Sequence, residues 1–320
     1  MNLDLKDLKI LSELDKNSRQ SSNQIARKVR LNKNTVNFRI NKLLTNKVIL
    51  GFYPSIDLSR LGYLAIRVYF KFFNANPKTE ENIINELLKN NSVGILAELD
   101  ASYDIMFMHI SKDIYEFENF WNKFKQKHRK NIFGEKINLM TKVIHFKRNW
   151  IAGEKSIKEE IIGRNKEVKF DKKDLKILSI LSKNCRTNTL DISKKLKLPE
   201  TTIAFRIRQL EKKEIIQGYR INLNLGYFNR EYYKVNLKLD DLSKKEELIA
   251  FCKENPQVIF IDFSISDYDF EFDVEVENKE NISNILKTIK NRFAKIQDYE
   301  VISFKKYHKV ESVPEALSIN

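Results

Sequence analysis

The chain has 320 residues, a formal net charge of +15 and a pI near 9.5. This length suits two or more domains, and the apolar fraction of 42% provides residues for their cores. The two cysteines, Cys185 and Cys252, support no disulfide framework. No apolar run approaches the roughly 18 residues of a membrane span, and the N-terminus has no apolar signal core. We therefore expect a cytoplasmic protein with no membrane partner.

One segment of the chain occurs twice. Shifting the chain by 167 positions aligns residues 4–56 with residues 171–223, and roughly 22 of 53 positions are identical. The words DLKILS and FRI are among those that both segments contain. The repeat predicts one structural unit that is used twice.

The excess positive charge lies on this repeated unit. Residues 1–58 contain 11 Lys and Arg against 5 Asp and Glu, and residues 168–224 contain 14 against 6. The rest of the chain is close to neutral, and residues 225–320 are acidic. This distribution predicts that the repeated unit contacts a polyanion. The alternative, basic residues that serve only solubility, does not explain the concentration.

Each repeat begins with the pattern of three short helices. Apolar residues spaced by three and four predict a helix at 7–16, a second helix from Ser21 or Ser22 to about Val29, and a third that Asn32 caps. The brief second turn predicts a helix-turn-helix. Residues 48–53 and 215–220 predict two short strands around a glycine, which would form the wing of a winged helix. The third helix would then contact DNA bases.

An alternating apolar pattern follows each repeat. It predicts the order β-α-β-β-α-β of a ferredoxin-like domain, first from residue 63 and again from residue 231. The predicted fold class is α+β, with two winged helix-turn-helix domains and two ferredoxin-like domains in a pseudo-dimer. We predict winged helix-turn-helix domains at 1–58 and 170–224, ferredoxin-like domains at 59–147 and 225–311, a linker at 148–169 with a helical middle at 157–162, and a tail at 312–320.

The repeated motifs resemble the leucine-responsive and asparagine regulator (Lrp/AsnC) family of transcription factors. The resemblance lies in Val36-x-x-Arg39-Ile40-x-x-Leu43 and Val48-Ile49-x-Gly51-Phe52, and in Ile203-x-x-Arg206-Ile207-x-x-Leu210 and Ile216-x-Gly218-Tyr219. It implies a winged helix-turn-helix followed by a ferredoxin-like effector and dimerisation domain, called a RAM domain. Family members usually contain one such unit, so the tandem duplication resembles a dimer fused into one chain.

Two departures from the family pattern concern glycine. The glycine expected after the third helix is Lys47 in the first copy and Glu214 in the second, so the helix must end without the residue that adopts a left-handed conformation most easily. The turn that is usually Gly-x-Tyr-Asp lacks its glycine in both copies. In relatives this turn helps to bind an amino-acid effector, and the lost glycine leaves open whether an effector binds here. The implied effector-binding residues are Ser102, Tyr103, Asp104, Asp267, Tyr268 and Asp269.

The polar residues of the third helices are the candidate DNA contacts. Asn pairs with adenine through two hydrogen bonds, whereas Lys and Arg bind phosphate or guanine. We expect Lys33 and Lys42 to bind phosphates and Asn37 to contact bases in one half-site. For Arg39 and Arg206, phosphate contact and an internal salt bridge are both open, and a solvated helix face is the alternative for the whole set. The candidates are Lys33, Asn34, Thr35, Asn37, Arg39, Asn41, Lys42, Thr201, Thr202, Arg206, Arg208 and Gln209.

The two predicted sheets differ in charge. The first strand of the first sheet places Arg67, Tyr69 and Lys71 on one face, whereas residues 268–277 of the second sheet alternate between apolar and acidic side chains. We predict that the basic face packs on the acidic face within the chain. The alternative is an acidic face that is exposed to solvent.

The predicted function is that of a sequence-specific regulator of transcription that binds double-stranded DNA. Its two different recognition helices would contact two unequal half-sites, a small effector such as an amino acid would modulate it, and further self-association is left open. His109, His128, His145 and His308 have no metal-ligand spacing, so we predict no enzyme, cofactor or metal. Two alternatives remain, an enzyme similar to siroheme decarboxylases, which pair two such units, and a sensor with one working DNA-binding head.

Overall fold

A computed structural model describes residues 2–100, 102–153, 159–163, 166–293 and 296–313. The predicted tail beyond residue 313, Ala101 of the predicted effector turn and residues 157–158 of the predicted linker helix lie outside these ranges. Within them, no helix is both long and apolar enough to cross a membrane. Both cysteines are buried and free.

The first half contains the elements α1 (Leu5–Lys16), α2 (Ser22–Val29), α3 (Lys33–Thr45), β1 (Ile49–Ile56), β2 (Leu64–Phe72), α4 (Pro77–Lys89), β3 (Val93–Asp100), β4 (Ile105–Ser111), α5 (Ile114–His128) and β5 (Ile132–His145). The second half contains β6 (Glu160–Gly163), α6 (Lys172–Lys183), α7 (Thr189–Leu196), α8 (Glu200–Lys212), β7 (Ile216–Leu223), β8 (Glu231–Leu239), α9 (Lys245–Glu254), β9 (Val258–Ile265), β10 (Phe270–Val276), α10 (Lys279–Arg292) and β11 (Ile296–Val310). Short 3-10 helices lie at Leu58–Leu61, Leu225–Phe228 and Leu242–Lys244.

In the first repeat α2 and α3 begin where the sequence predicts, whereas α1 begins two residues before the predicted start at residue 7. Asp4, Ser21 and Asn32 precede α1, α2 and α3, and each side chain accepts a hydrogen bond from the backbone N–H three residues later. Such a bond satisfies one of the backbone donors that a helix start leaves without a partner. The predicted stripe of α3 is buried in the three-helix core.

Each of the recognition helices α3 and α8 is followed by a residue in the left-handed conformation, although that residue is not glycine. Lys47 follows α3 with a φ of 55°, and Glu214 follows α8 with a φ of 56°. This left-handed conformation costs a residue with a Cβ about 1–2 kcal/mol, and the surrounding fold must compensate for it. Lys47 and Glu214 thus occupy the conformation that glycine would adopt at lower cost.

The strands predicted at 48–53 and 215–220 are present as β1 and β7, but the sequence did not indicate how they pair. One strand, β1 or β7, follows each recognition helix, and the two strands pair antiparallel with each other. Ile49 lies opposite Leu223 and Ile56 lies opposite Ile216, so equivalent positions of the two copies exchange places across the pair. The backbone hydrogen-bonding groups along one edge of each strand are therefore paired with the strand of the other copy.

Each half also forms a ferredoxin-like sheet, with the strand orders β5-β2-β4-β3 and β11-β8-β10-β9. The last strand of each sheet is long and crosses to the other half, since β5 also pairs with β9 and β11 also pairs with β3. These crossings close a ring of eight strands. The apolar outer faces pack against helices, as Phe107 does against Trp121 in the first half.

The linker contains a strand where a helix was expected. Residues 160–162 of the predicted helix at 157–162 belong to β6, which pairs antiparallel with the end of β5. Backbone groups at the end of β5 offer hydrogen bonds to this segment. The prediction of a linker helix is therefore wrong over the described residues.

Charged residues are buried between the two sheets, as the charge difference predicts. Arg67 of the first sheet lies 2.8 Å from Asp262 of the second, and Lys136 lies 3.3 Å from Glu300. Although burial raises the pKa of Asp262, Lys234 and Arg67 outweigh it and lower that pKa to about 2. The Asp262 carboxylate is thus held in its charged form by cations from both halves.

Two glycines at equivalent positions, Gly51 of β1 and Gly218 of β7, give a matched test of how closely β7 packs against Glu160 of β6. A Cβ on Gly218 would come within 2.2 Å of the Glu160 carboxylate, whereas a Cβ on Gly51 would meet nothing within 4 Å. Glu160 is 1% exposed and bound to Lys147, so its carboxylate cannot move aside freely. We expect Gly218→Ala to lower the free energy of unfolding by about 1–3 kcal/mol and Gly51→Ala to change it little. Chemical denaturation of both variants measures this, and equal effects would contradict the packing.

Candidate nucleic-acid interface

The recognition helices α3 and α8 present their predicted polar faces to solvent. Burial of Val36, Ile40 and Leu43 fixes which side of α3 faces the core. Four of the predicted DNA contacts on the opposite side are exposed, namely Lys33, Asn34, Asn41 and Lys42. In α8 the same orientation exposes Thr201 and Arg208 and leaves Gln209 half-buried.

The other candidates on these helices are less accessible. Thr35, Asn37 and Thr202 are half-buried at the side of their helices. The backbone N–H of Thr35 donates to the Asn32 side chain at 2.7 Å, whereas Pro199, which precedes α8, supplies no side-chain cap. The first turns of the two recognition helices therefore differ in structure as well as in sequence.

Arg39 and Arg206 form internal salt bridges, which was one of the two alternatives for them. Arg39 Nη1 lies 2.7 Å from Asp7 and 2.8 Å from Asp4, both at the start of α1. Hydrogen bonds to Asp7 and Asp4 raise the pKa of the Arg39 guanidinium. Arg206 contacts Asp171 and Asp174 at 2.8 Å in the same way. Since these side chains join α3 to α1 and α8 to α6, we assign them a structural role.

Sequence reasoning missed two further groups of exposed residues. Phe38 and Phe205 are 67% and 55% exposed at the same position of the two recognition helices. The ends of α2 and α7 expose basic side chains at equivalent positions, Arg27 and Arg30 in the first copy and Lys194 and Lys197 in the second. Alignment of the two copies contained this signal, because FRI is shared and the basic positions coincide.

Reciprocal contacts hold the two three-helix units together. Arg19 Nη1 donates to the carbonyl oxygens of Cys185 and Thr187, and Arg186 Nη1 donates to those of Ser18 and Gln20. Every residue in the second set lies opposite its equivalent in the first, as in a two-fold symmetric interface. The recognition helices thus have a fixed relative orientation about a local two-fold axis.

Arg148 anchors both units to the ring of strands. Its guanidinium lies 2.8 Å from Asp15 of α1 and 2.9 Å from Glu275 of β10, and it donates to the Ile221 carbonyl of β7 at 3.2 Å. Removal of a buried partner of this kind leaves an uncompensated charge. Arg148 therefore couples the position of the helical units to that of the sheets.

A second buried cluster contains His145, Lys147, Glu160 and Arg220. Burial and the nearby Arg220 lower the pKa of Lys147 to about 8, although Glu160 opposes this change. Burial and the same cations lower the pKa of His145 well below its ordinary value. His145 is 2% exposed and stacks on Phe260, with 3.9 Å between ring centroids. Among the described residues, no group of three His, Cys, Asp or Glu side chains is arranged to hold a metal ion.

The predicted effector residues have different surroundings in the structure. Asp104 accepts a hydrogen bond from the Phe72 N–H at 2.7 Å, and Asp269 accepts one from the Leu239 N–H at 2.9 Å, so both serve the sheet. Ser102 is half-buried and Asp267 is exposed.

Tyr103 and Tyr268 lie near the ion pair between the sheets. The Lys136 ammonium is 4.1 Å from the centre of the Tyr268 ring. Burial and the neighbouring Glu300 raise the pKa of Tyr103, and they raise that of Tyr268 to about 12. Two surface cavities, of about 210 Å³ and 350 Å³, have none of the six effector candidates in their lining.

Comparison with known proteins places this geometry in context. A family model described as winged helix-turn-helix DNA-binding matches residues 3–49 and 170–217. The chain is 30% identical over 118 residues to the HTH-type transcriptional regulator Ptr1 of Methanocaldococcus jannaschii, which covers 37% of this chain and 78% of that protein. It is 48% identical over 61 residues to the HTH-type transcriptional regulator LrpA of Pyrococcus horikoshii. This match covers 18% of this chain and 43% of that protein.

Solved structures of a siroheme decarboxylase are similar over nearly the whole chain. The crystal structure of the siroheme decarboxylase NirDL superimposes with a TM-score of 0.63 over 97% of this chain and 94% of that chain, at 14% sequence identity. At this identity the likeness establishes the fold alone. It shows that the arrangement of two helical units on two paired sheets occurs in another protein.

The role of Arg39 is tested by a double-mutant cycle. We expect Arg39→Ala and Asp7→Ala each to destabilise the protein and the double variant to lose less than their sum, with a coupling of about 1 kcal/mol. Denaturant titrations of the four proteins measure the coupling. We also expect Arg39→Ala to leave unchanged the slope of DNA affinity against salt concentration. A slope reduced by about one would instead indicate a direct phosphate contact.

Proposed function

Because the chain belongs to the Lrp/AsnC family of transcriptional regulators, we propose that it is a sequence-specific DNA-binding regulator whose one chain acts as an intramolecular pseudo-dimer. The observation that carries this proposal is the pair of exposed and unequal recognition helices held in one orientation by β1 and β7. Each helix would enter a major groove, and each would contact its own half-site.

The two half-sites would differ because the exposed faces of α3 and α8 differ. Asn34 and Asn41 of α3 are suited to adenine, whereas Arg208 of α8 is suited to guanine or phosphate. Lys33 of α3 corresponds to Glu200 of α8, which would repel a phosphate. A protein with such heads would select an asymmetric operator, whereas a homodimer selects a palindrome.

The pseudo-dimer is supported by complementary charges at equivalent positions of the two sheets. Lys136 lies opposite Tyr69 on β2, and Glu300 lies opposite Asn236, the equivalent of Tyr69, on β8. Lys136 and Glu300 therefore occupy equivalent positions and contact each other across the interface. Two copies of either half alone would bring like charges together there, which disfavours that pairing.

Contacts to phosphate would supply much of the affinity. Lys33 and Lys42 lie on the exposed face of α3, and Arg27, Arg30, Lys194 and Lys197 lie at the ends of the preceding helices. Each phosphate contact releases counterions, so the affinity should fall steeply as salt rises. These residues would bind all sequences alike, and the other polar residues of α3 and α8 would discriminate between them.

Control by an amino-acid effector remains a prediction from the family resemblance. Tyr103 and Tyr268 adjoin the Lys136–Glu300 ion pair between the two halves. A small ligand with both an ammonium and a carboxylate group would compete for these two charges. Its binding would then alter the contact between the two halves, and with it the relative orientation of the recognition helices.

The alternative enzyme function rests on the fold shared with a siroheme decarboxylase. A decarboxylase of this kind needs a proton donor that reaches the substrate. His145, which is surrounded by Lys147 and Arg220, is 2% exposed and lies beneath Phe260. This burial favours a structural role for the histidine and DNA binding for the protein.

The proposal is tested by selection from a random-sequence duplex library at two salt concentrations, followed by sequencing. We expect enrichment of an asymmetric site with two half-sites about one helical turn apart or a multiple of it, and weaker binding at the higher salt. Enrichment of a single half-site would indicate one working head. Binding without enrichment would contradict sequence recognition. Absence of binding, together with an absorbance change on addition of siroheme, would favour the enzyme.

A further inference from the structure

The recognition helices share one exposed side chain that is not polar. Phe38 of α3 and Phe205 of α8 are 67% and 55% exposed, and they occupy the same position of the repeat. An isolated exposed apolar residue is common on protein surfaces and needs no explanation. Two such rings at equivalent positions, each on the surface that we propose to meet DNA, require one.

Both rings lie in the middle of the candidate DNA-contacting face. Helical geometry brings residues three and four positions apart together on one face. Phe38 is therefore flanked by Asn34, Asn41 and Lys42, all of them exposed. The corresponding neighbours of Phe205 are Thr201, Arg208 and Gln209. A helix that enters the major groove with these neighbours must also bring the ring to the base edges.

The exposed neighbours of the ring differ between the two copies, whereas the ring itself is the same. The neighbouring positions contain Asn, Asn and Lys in α3 and Thr, Arg and Gln in α8. Thr35 and Arg39, the other unchanged residues of the polar side, are half-buried, and Arg39 is held by Asp4 and Asp7. Maintenance of the core therefore does not explain the shared phenylalanine.

The major groove offers an apolar group on one base only, the 5-methyl group of thymine. A phenyl ring has no hydrogen-bonding group and would leave the polar edges of other bases without a partner. Building on the proposed function, we propose that Phe38 and Phe205 are specificity-determining residues, each of which contacts the 5-methyl group of a thymine. The two unequal half-sites then share one thymine at the equivalent place.

The test replaces each thymine of the selected operator by uracil, one at a time, and measures the dissociation constant by fluorescence anisotropy. Uracil lacks the 5-methyl group and keeps the base-pairing groups. We expect one replacement in each half-site to weaken binding about fourfold, the effect of one buried methyl group. We expect Phe38→Ala to abolish this penalty in one half-site only and Phe205→Ala to abolish it in the other. Each variant is thus the control for its counterpart.

A second control is Asn41→Ala, which should weaken binding yet retain both uracil penalties. Thermal denaturation checks that the alanine variants are folded, as the exposure of both rings leads us to expect. Uracil operators that bind as tightly as thymine operators, or a full uracil penalty in both alanine variants, would overturn this inference while leaving the DNA-binding function intact. Failure of the chain to enrich any site would overturn the proposed function and this inference with it.

Discussion

The antiparallel pairing of β1 with β7 is the constraint on which the rest of the structure depends. Both strands follow directly after a recognition helix, so their register sets the distance and the direction between α3 and α8. The reciprocal contacts of Arg19 and Arg186 repeat this two-fold relation within the helical units. Arg148 then joins α1, β7 and β10, which fixes the helical units on the ring of strands. A change in the sheets can therefore reach the helices through a few buried groups.

Fusion of the two copies allows them to diverge. In a homodimer, a residue on the two-fold axis faces its own kind, so a buried lysine would face a lysine. Here Lys136 faces Glu300, and Arg67 of one half contacts Asp262 of the other. Burial of so many charges carries a desolvation cost that ion pairs only partly repay, and it is weak evidence for stability. Its consequence is selectivity, because each half matches the other better than it matches itself.

Local patterns in the sequence predict local structure well. Spacing of apolar residues predicted the helices and strands of both copies, and capping residues predicted the starts of α2 and α3. The pairing of β1 with β7 was missed because strand pairing across the chain leaves no periodic signal within either strand. The linker strand β6 was missed for a similar reason, since β5 supplies its hydrogen bonds from outside the segment.

The candidate site was predictable in the same uneven way. Because Val36, Ile40 and Leu43 form the buried side of α3, the polar residues on its other side were expected to be exposed. Four of them are, namely Lys33, Asn34, Asn41 and Lys42. The sequence alone left two roles open for Arg39, because the distance to Asp4 and Asp7 depends on how α1 packs against α3. Phe38 was overlooked because an apolar residue is ordinarily assigned to a core, and only its exposure in the fold indicates another role.

The central claim is that two different heads, held at one spacing, contact two unequal half-sites. The most direct test gives the candidate DNA-contacting positions of α3 the residues that α8 has there, through the substitutions K33E, N34T, N37A, N41R and K42Q, and repeats the selection from random duplexes. We expect the asymmetric operator to become a palindrome with its half-site spacing unchanged, because the register of β1 with β7 is untouched. An operator that keeps both its asymmetry and its original half-sites would contradict the account.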